Sequence, residues 1–250
     1  MYKQLLNPEE TMDVISDKSI HKTKLTLKQK LIQGILAGAF IAFGGQGYVM
    51  STALGMPKLI GAAIFPIGLI LIVMLGAELF TGNNLMTIGL IQKKITAKSY
   101  IKSLSVVYIC NLAGALIIAF MIDMSSLNGD FVGLTAKSIA LSKVSITFTE
   151  AFIRGILCNI IVVLAVWMAF SADGLVAKSL ASWIPVTFFV FVGFEHSIAN
   201  MFFIPLGILS GAKISIYEAF LNNILPVTLG NFFGGGIIIP YLYHFVYLKK

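Results

Sequence analysis

The length of the apolar runs constrains this chain more than anything else in it. Six runs, near residues 31–50, 59–92, 104–122, 148–170, 180–210 and 220–248, hold almost no charge. A helix needs about 20 apolar residues to cross a bilayer, and each run meets that length. Lipid offers no partner to a backbone N–H or C=O, so a spanning segment must satisfy its own, as a helix does. Charged residues make up only 12% of the chain, against about a quarter in a soluble domain. The pattern predicts an all-α integral membrane protein with six spans, and a lipid bilayer as its surroundings.

The net charge is +7, yet Arg154 is the sole arginine. No arginine-rich surface for nucleic acid is expected. The lysines instead report orientation. With the N-terminus inside, Lys3, Lys18, Lys22, Lys24, Lys28, Lys30, Lys93, Lys94, Lys98, Lys102, Lys178, Lys249 and Lys250 fall on the cytoplasmic side. Lys58, Lys137, Lys143, Arg154 and Lys213 fall outside. That asymmetry places both termini in the cytoplasm. Residues 1–29 read as a cytoplasmic N-terminal segment with a short amphipathic helix, and 30–250 as the membrane domain. Asn7-Pro8-Glu9-Glu10 has the residues of a helix start, and Thr26 with Gln29 forms a capping box opening the first span.

Two spans are too long for one crossing and are interrupted. The second contains "GAELFTGNN" at 76–84, the fifth "GFEHSIANM" at 193–201. Gly76, Glu78 and Asn83 recur as Gly193, Glu195 and Asn200, an offset of 117 residues. A looser echo links Asn111 and Gly114 in the third span to Asn231 and Gly234 in the sixth. A repeat of three spans inverts its second copy, because three is odd. Paired interruptions in corresponding halves point to a site near the midplane. If each break restarts a helix, near Gly82 and near Ala199, the exposed N–H groups and the helix dipole suit an anion. Glu78 and Glu195 are expected to hold the loops by accepting hydrogen bonds from the broken backbone. His196, an intramembrane imidazole, is a functional candidate by its placement.

Four stretches in order, "GAELFTGNN", "GILCNIIVVLAVWM" (155–168), "GFEHSIANMFFIP" (193–205) and "NILPVTLGNFFGGG" (223–236), resemble motifs of the formate/nitrite transporter family. The resemblance runs from about residue 30 to the end. It implies a homopentamer with an aquaporin-like pore in each protomer, located in a bacterial or archaeal cytoplasmic membrane. The substrate implied is a small monovalent anion of a weak acid: formate, nitrite or hydrosulfide. Carried over by position, His196 is the central pore histidine, Thr81 its loop threonine, and Asn159 and Asn200 polar residues around it. Lys143 draws anions inward. Phe65 and Phe189 form an outer slit; Leu79, Phe80 and Val162 form an inner one. Gly76, Gly193, Glu78 and Glu195 are the loop scaffold. A proton shared between His196 and the anion would let a neutral acid cross the slits.

Other classes fit less well. The chain has no H-E-x-x-H, G-x-S-x-G or P-loop pattern, so an enzyme is not expected. An aquaporin-like channel for neutral solutes would share the two half-helices, but it relies on paired N-P-A turns that are missing here. Cys110 and Cys158 lie in apolar runs and read as buried thiols. Neither a metal site nor a cofactor is expected.

Overall fold

The computed structural model describes residues 5–247; Lys3, Lys249 and Lys250 lie outside the described residues. The described chain is helical almost throughout. Before the first break come α1 (Pro8–Lys24), α2 (Leu27–Ala53), α3 (Lys58–Ile64) and α4 (Ile67–Leu75). The restarted span follows as α5 (Phe80–Asn83), a 3-10 turn over Asn84–Met86, and α6 (Thr87–Ile91). Next come α7 (Ala97–Met124), α8 (Asp130–Val144), α9 (Phe148–Ser171), α10 (Leu175–Val192) and, after the second break, α11 (Ser197–Leu209). The last span comprises α12 (Ile216–Glu218), α13 (Leu225–Phe232) and α14 (Ile239–Tyr247), joined by π-helical Ala219–Ile224 and Phe233–Ile238. Among the described residues, six helical stretches are long and apolar enough to cross a membrane.

The helix starts are written locally. Asn7 accepts from Glu10 N at 2.8 Å while the Glu10 carboxylate accepts from Asn7 N at 2.9 Å. Thr26 with Gln29, Thr147 with Glu150, and Ser215 with Glu218 form the same reciprocal box. Each box satisfies two N–H groups that the first turn would leave unpaired.

The repeat extends beyond the breaks. Thr26 and Thr147, which open α2 and α9, stand 121 residues apart. Helix α8 stands before α9 as α1 stands before α2. Apolar periodicity does not announce α8, because apolar residues occupy its exposed positions (Phe131, Leu134, Leu141) as well as its buried ones (Val132, Ala136, Ala140). Helix α1 is not a free surface helix either: Met12 and Ile15 are fully buried against the bundle. Close contacts between spans repeat too. A methyl group on Gly114 would collide with Ile35 O of α2, and one on Gly234 with Ile156 O of α9. Glycine lets backbones touch there, the usual means of packing helices in lipid.

Candidate functional site

The breaks are made by backbone conformation. Gly76 ends α4 at φ +75° and Gly193 ends α10 at φ +87°, both left-handed. A side chain there would cost about 1–2 kcal/mol. Two residues on, the N–H groups turn aside to neighbouring spans: Glu78 N donates to Gln33 O at 3.2 Å, and Glu195 N to Arg154 O at 3.3 Å. The helices restart at Phe80 and Ser197, two residues before the positions expected from sequence.

One buried asparagine closes each break. Asn111 Oδ1 accepts from Phe80 N at 2.9 Å, and its Nδ2 donates to Gly34 O and Glu78 O at 2.8 and 2.9 Å. Asn231 repeats every bond: Ser197 N donates to its Oδ1 at 2.9 Å, and its Nδ2 donates to Gly155 O and Glu195 O at 2.8 and 3.0 Å. An amide suits this task because it offers an acceptor and two donors in one plane.

The two glutamate carboxylates meet side chains, where bonds from the broken backbone were expected. Glu78 Oε1 meets Lys22 Nζ at 2.5 Å, and Asn83 Nδ2 donates to Oε2 at 2.7 Å. Glu195 meets Lys143 Nζ at 3.0 and 3.2 Å, and Asn200 Nδ2 donates to Oε2 at 2.6 Å. Asn223 completes the second set, accepting from Asn200 Nδ2 at 2.6 Å and donating to Lys143 O at 2.8 Å. Ser103 stands in the matching place of the first set, its hydroxyl 3.5 Å from Lys22 O. Lys22, expected only among the cytoplasmic lysines, and Asn223, expected only as the first residue of the 223–236 motif, both belong to these assemblies. Extending the repeat to an offset of 121 would have paired Lys22 with Lys143.

The two restarts meet at one contact. Thr81 Oγ1 lies 2.9 Å from His196 Nε2, 115 residues away in sequence, and both side chains are buried. His196 is also the cap of α11, its Nδ1 accepting from Ala199 N at 3.1 Å. A ring nitrogen that accepts carries no proton. The neutral ring therefore bears its proton on Nε2 and donates it to Thr81 Oγ1. The Thr81 hydroxyl proton is left to point elsewhere. A doubly protonated ring would have to release the Ala199 N–H.

One cavity reaches His196, and another reaches Leu79 and Gly82 of the loop that carries Thr81. The cavity at the end expected from the lysines to face outward, called the outer cavity, is about 230 Å³ and is lined by His196, Glu195, Asn200, Phe65, Phe189 and Lys143 among others. Phe65 and Phe189 meet edge to face with centroids 6.1 Å apart, and Phe189 stacks on the His196 ring at 6.0 Å. Phe203, not foreseen, stacks on Phe65 at 6.3 Å and lies under Lys143 Nζ at 5.3 Å. The inner cavity, about 310 Å³, is lined by Leu79, Gly82, Glu78, Asn83 and by Lys18 and Lys22 of α1.

The expected inner slit is divided. Leu79 faces the inner cavity, and Val162 is buried on α9. The Phe80 ring turns away, packing against Tyr108 at 4.9 Å in a separate groove beside α7 and α13. The residue after a helix restart points to the side opposite its predecessor, so only one of the two can face the cavity. The Asn159 amide bonds backbone, not the imidazole. Its Nδ2 donates to Asn231 O at 2.7 Å and to Thr81 O at 3.3 Å, holding the loop that carries Thr81. Asn159 Oδ1 and Asn200 Oδ1 are buried without a partner among the described residues.

Comparison with known proteins agrees with this architecture. A solved structure described as an FNT family ion channel superposes with a TM-score of 0.89 at 28% identity, covering 95% of this chain and 98% of that one. Another, described as a pentameric formate channel with formate bound, gives 0.79 at 35% identity, covering 89% and 98%. By sequence, a probable formate transporter of Methanothermobacter thermautotrophicus is 36% identical, with 98% of each chain aligned. The formate channel FocA of Escherichia coli K12 is also 36% identical, over 98% of this chain and 96% of that protein. These relatives are channels and transporters, not enzymes. The sequence model described as formate/nitrite transporter matches residues 9–245, and the chain belongs to that family.

Proposed function

We propose that the protein is a channel for small monovalent anions of weak acids, with formate the first to test, then nitrite and hydrosulfide. It works as a homopentamer with a pore in each protomer, in a prokaryotic cytoplasmic membrane with both termini inside. The similarity to proteins described as formate channels supports the substrate class, and the similarity to a pentameric one supports the assembly.

The observation that carries the reading is the Thr81–His196 contact, which joins the two breaks, each of them lining a cavity. An unpaired anion pays several kcal/mol to leave water for an apolar constriction. Phe65, Phe189 and Leu79 supply such a constriction. Donors at its centre offset that cost. His196 Nε2–H donates to Thr81, and Thr81 in turn offers its hydroxyl proton to the anion. The chain polarises along its length, because each donor is strengthened by the one behind it. Proton sharing through Thr81 needs no change at the Ala199 cap. Full transfer needs the imidazolium, and hence a freed Nδ1.

Flux through proteoliposomes tests this, with formate, nitrite and hydrosulfide compared across pH. His196→Phe removes both donor and cap; His196→Asn keeps a capping side chain and removes the Nε2–H. Both variants should lose selectivity for protonatable anions. Unchanged selectivity and pH profile in His196→Asn would sink the role given to the ring.

A further inference from the structure

Lys143 is the lysine first expected to attract anions, yet both Glu195 oxygens face its ammonium at 3.0 and 3.2 Å. To an anion some distance away, such a pair is close to neutral. Lys22 and Glu78 repeat the pair beside the other break, which marks it as framework. Attraction at the outer cavity must come from cations that no carboxylate has neutralised.

Two more cations line that cavity, Lys58 and Arg154. Lys58 is exposed at the start of α3 and has no carboxylate within ion-pair distance among the described residues. Its ammonium sits 5.9 Å from the Phe191 ring centroid and 3.7 Å from where a Cβ on Gly193 would stand. It therefore overhangs the second break. The only carboxylate paired with Arg154 among the described residues is Glu150, at 3.9 Å, with both side chains well exposed. A pair of that length in solvent binds weakly, so the guanidinium is free to take another partner. Its backbone is not free: Arg154 O receives the Glu195 N–H of the break. The matching residue in the first half is Gln33, whose carbonyl receives Glu78 N and whose side chain is neutral. The two mouths share a frame and differ in this charge.

We infer that Lys58 and Arg154 form the anion-capture site of the outer cavity, holding a small carboxylate or oxyanion before it reaches His196. The inference rests on the channel reading above. Lys58, with no carboxylate partner among the described residues, and Arg154, only loosely paired with Glu150, line the same cavity as Phe65, Phe189 and Phe203, and their field raises the local anion concentration there. Neither cation is buried, so the anion keeps part of its water and leaves easily.

The test is formate uptake by the full-length protein in proteoliposomes. Wild type is compared with Lys58→Gln, Arg154→Gln, the double variant, and the charge-keeping Lys58→Arg. At low ionic strength the double variant should need about tenfold more formate for half-saturation, in line with focusing effects of 10-fold and above. Its maximal rate should stay at the wild-type level, and Lys58→Arg should behave as wild type. The difference should close near 1 M salt, where the Debye length falls to about 3 Å. Equal half-saturation at low salt overturns the inference, and so does a loss that salt does not change, which marks a packing role. If wild type itself carries none of formate, nitrite or hydrosulfide, the channel reading fails and this inference falls with it. If wild type conducts and the variants match it, only the capture site fails.

Discussion

Lys143 Nζ and Glu195 stand 3.0 Å apart beside the second break, and Lys22 with Glu78 reproduces the pair beside the first. Each ammonium comes from a helix that precedes its half of the repeat, so α1 and α8 are parts of the two break assemblies. Breaking a buried pair on one side leaves an uncompensated charge and costs about 3–5 kcal/mol. Glu195→Gln and Glu78→Gln should therefore both lower the thermal stability of the purified protein by a similar amount. A double change, Lys143→Met with Glu195→Gln, should recover part of the loss. Glu78→Gln that is neutral in melting would show the first pair to be incidental.

The asparagines should be less tolerant than either glutamate. Asn231→Ala orphans Ser197 N, Gly155 O and Glu195 O together, each costing about 1–3 kcal/mol when buried. Asn111→Ala should do the same to Phe80 N, Gly34 O and Glu78 O. Expression yield and melting of the two variants should fall in parallel. Asn231→Asp keeps the acceptor and loses the donors, so it should lie between alanine and wild type.

The left-handed glycines give a graded series. Space is open around Gly76, so any penalty there comes from conformation alone. Gly76→Ala should cost about 1–2 kcal/mol, and Gly76→Asn less, since asparagine visits that region more readily. Gly193→Ala should behave likewise. Denaturation midpoints that rank asparagine below alanine would contradict the strain argument.

Thr81 separates hydroxyl from shape. Thr81→Val leaves His196 Nε2–H without its acceptor, and Thr81→Ser keeps it. Anion flux in the valine variant should drop by at least about tenfold, matching the roughly 1–3 kcal/mol of an orphaned buried donor. The serine variant should stay within a few fold of wild type. Equal flux in the two would remove Thr81 from the donor chain.

His196 carries two tasks that one substitution divides. As the cap of α11 it should be worth about 1 kcal/mol, lost in His196→Phe and largely kept in His196→Asn. Melting should therefore distinguish the two variants, while both lack the donor toward Thr81. If they melt alike, the cap adds little and the ring is held by its packing on Phe189.

The spans, the Thr26–Gln29 box, and the two breaks with their kinship were legible in the sequence, because they follow from runs of apolar residues, from side chains a few positions apart and from a recurring motif. It also brought His196, Thr81 and both glutamates to notice. The partners of most site residues across the bundle were set by packing. Lys143 reaches Glu195 over 52 residues, and Asn231 reaches Gly155 over 76. Such contacts depend on how each helix is rotated about its axis and how far the glycine faces let it approach. Neither quantity is written in a local pattern. The same rotation turned the Phe80 ring into a side groove, left Asn159 holding a loop, and moved Asn223 into the outer assembly from a π-helical turn.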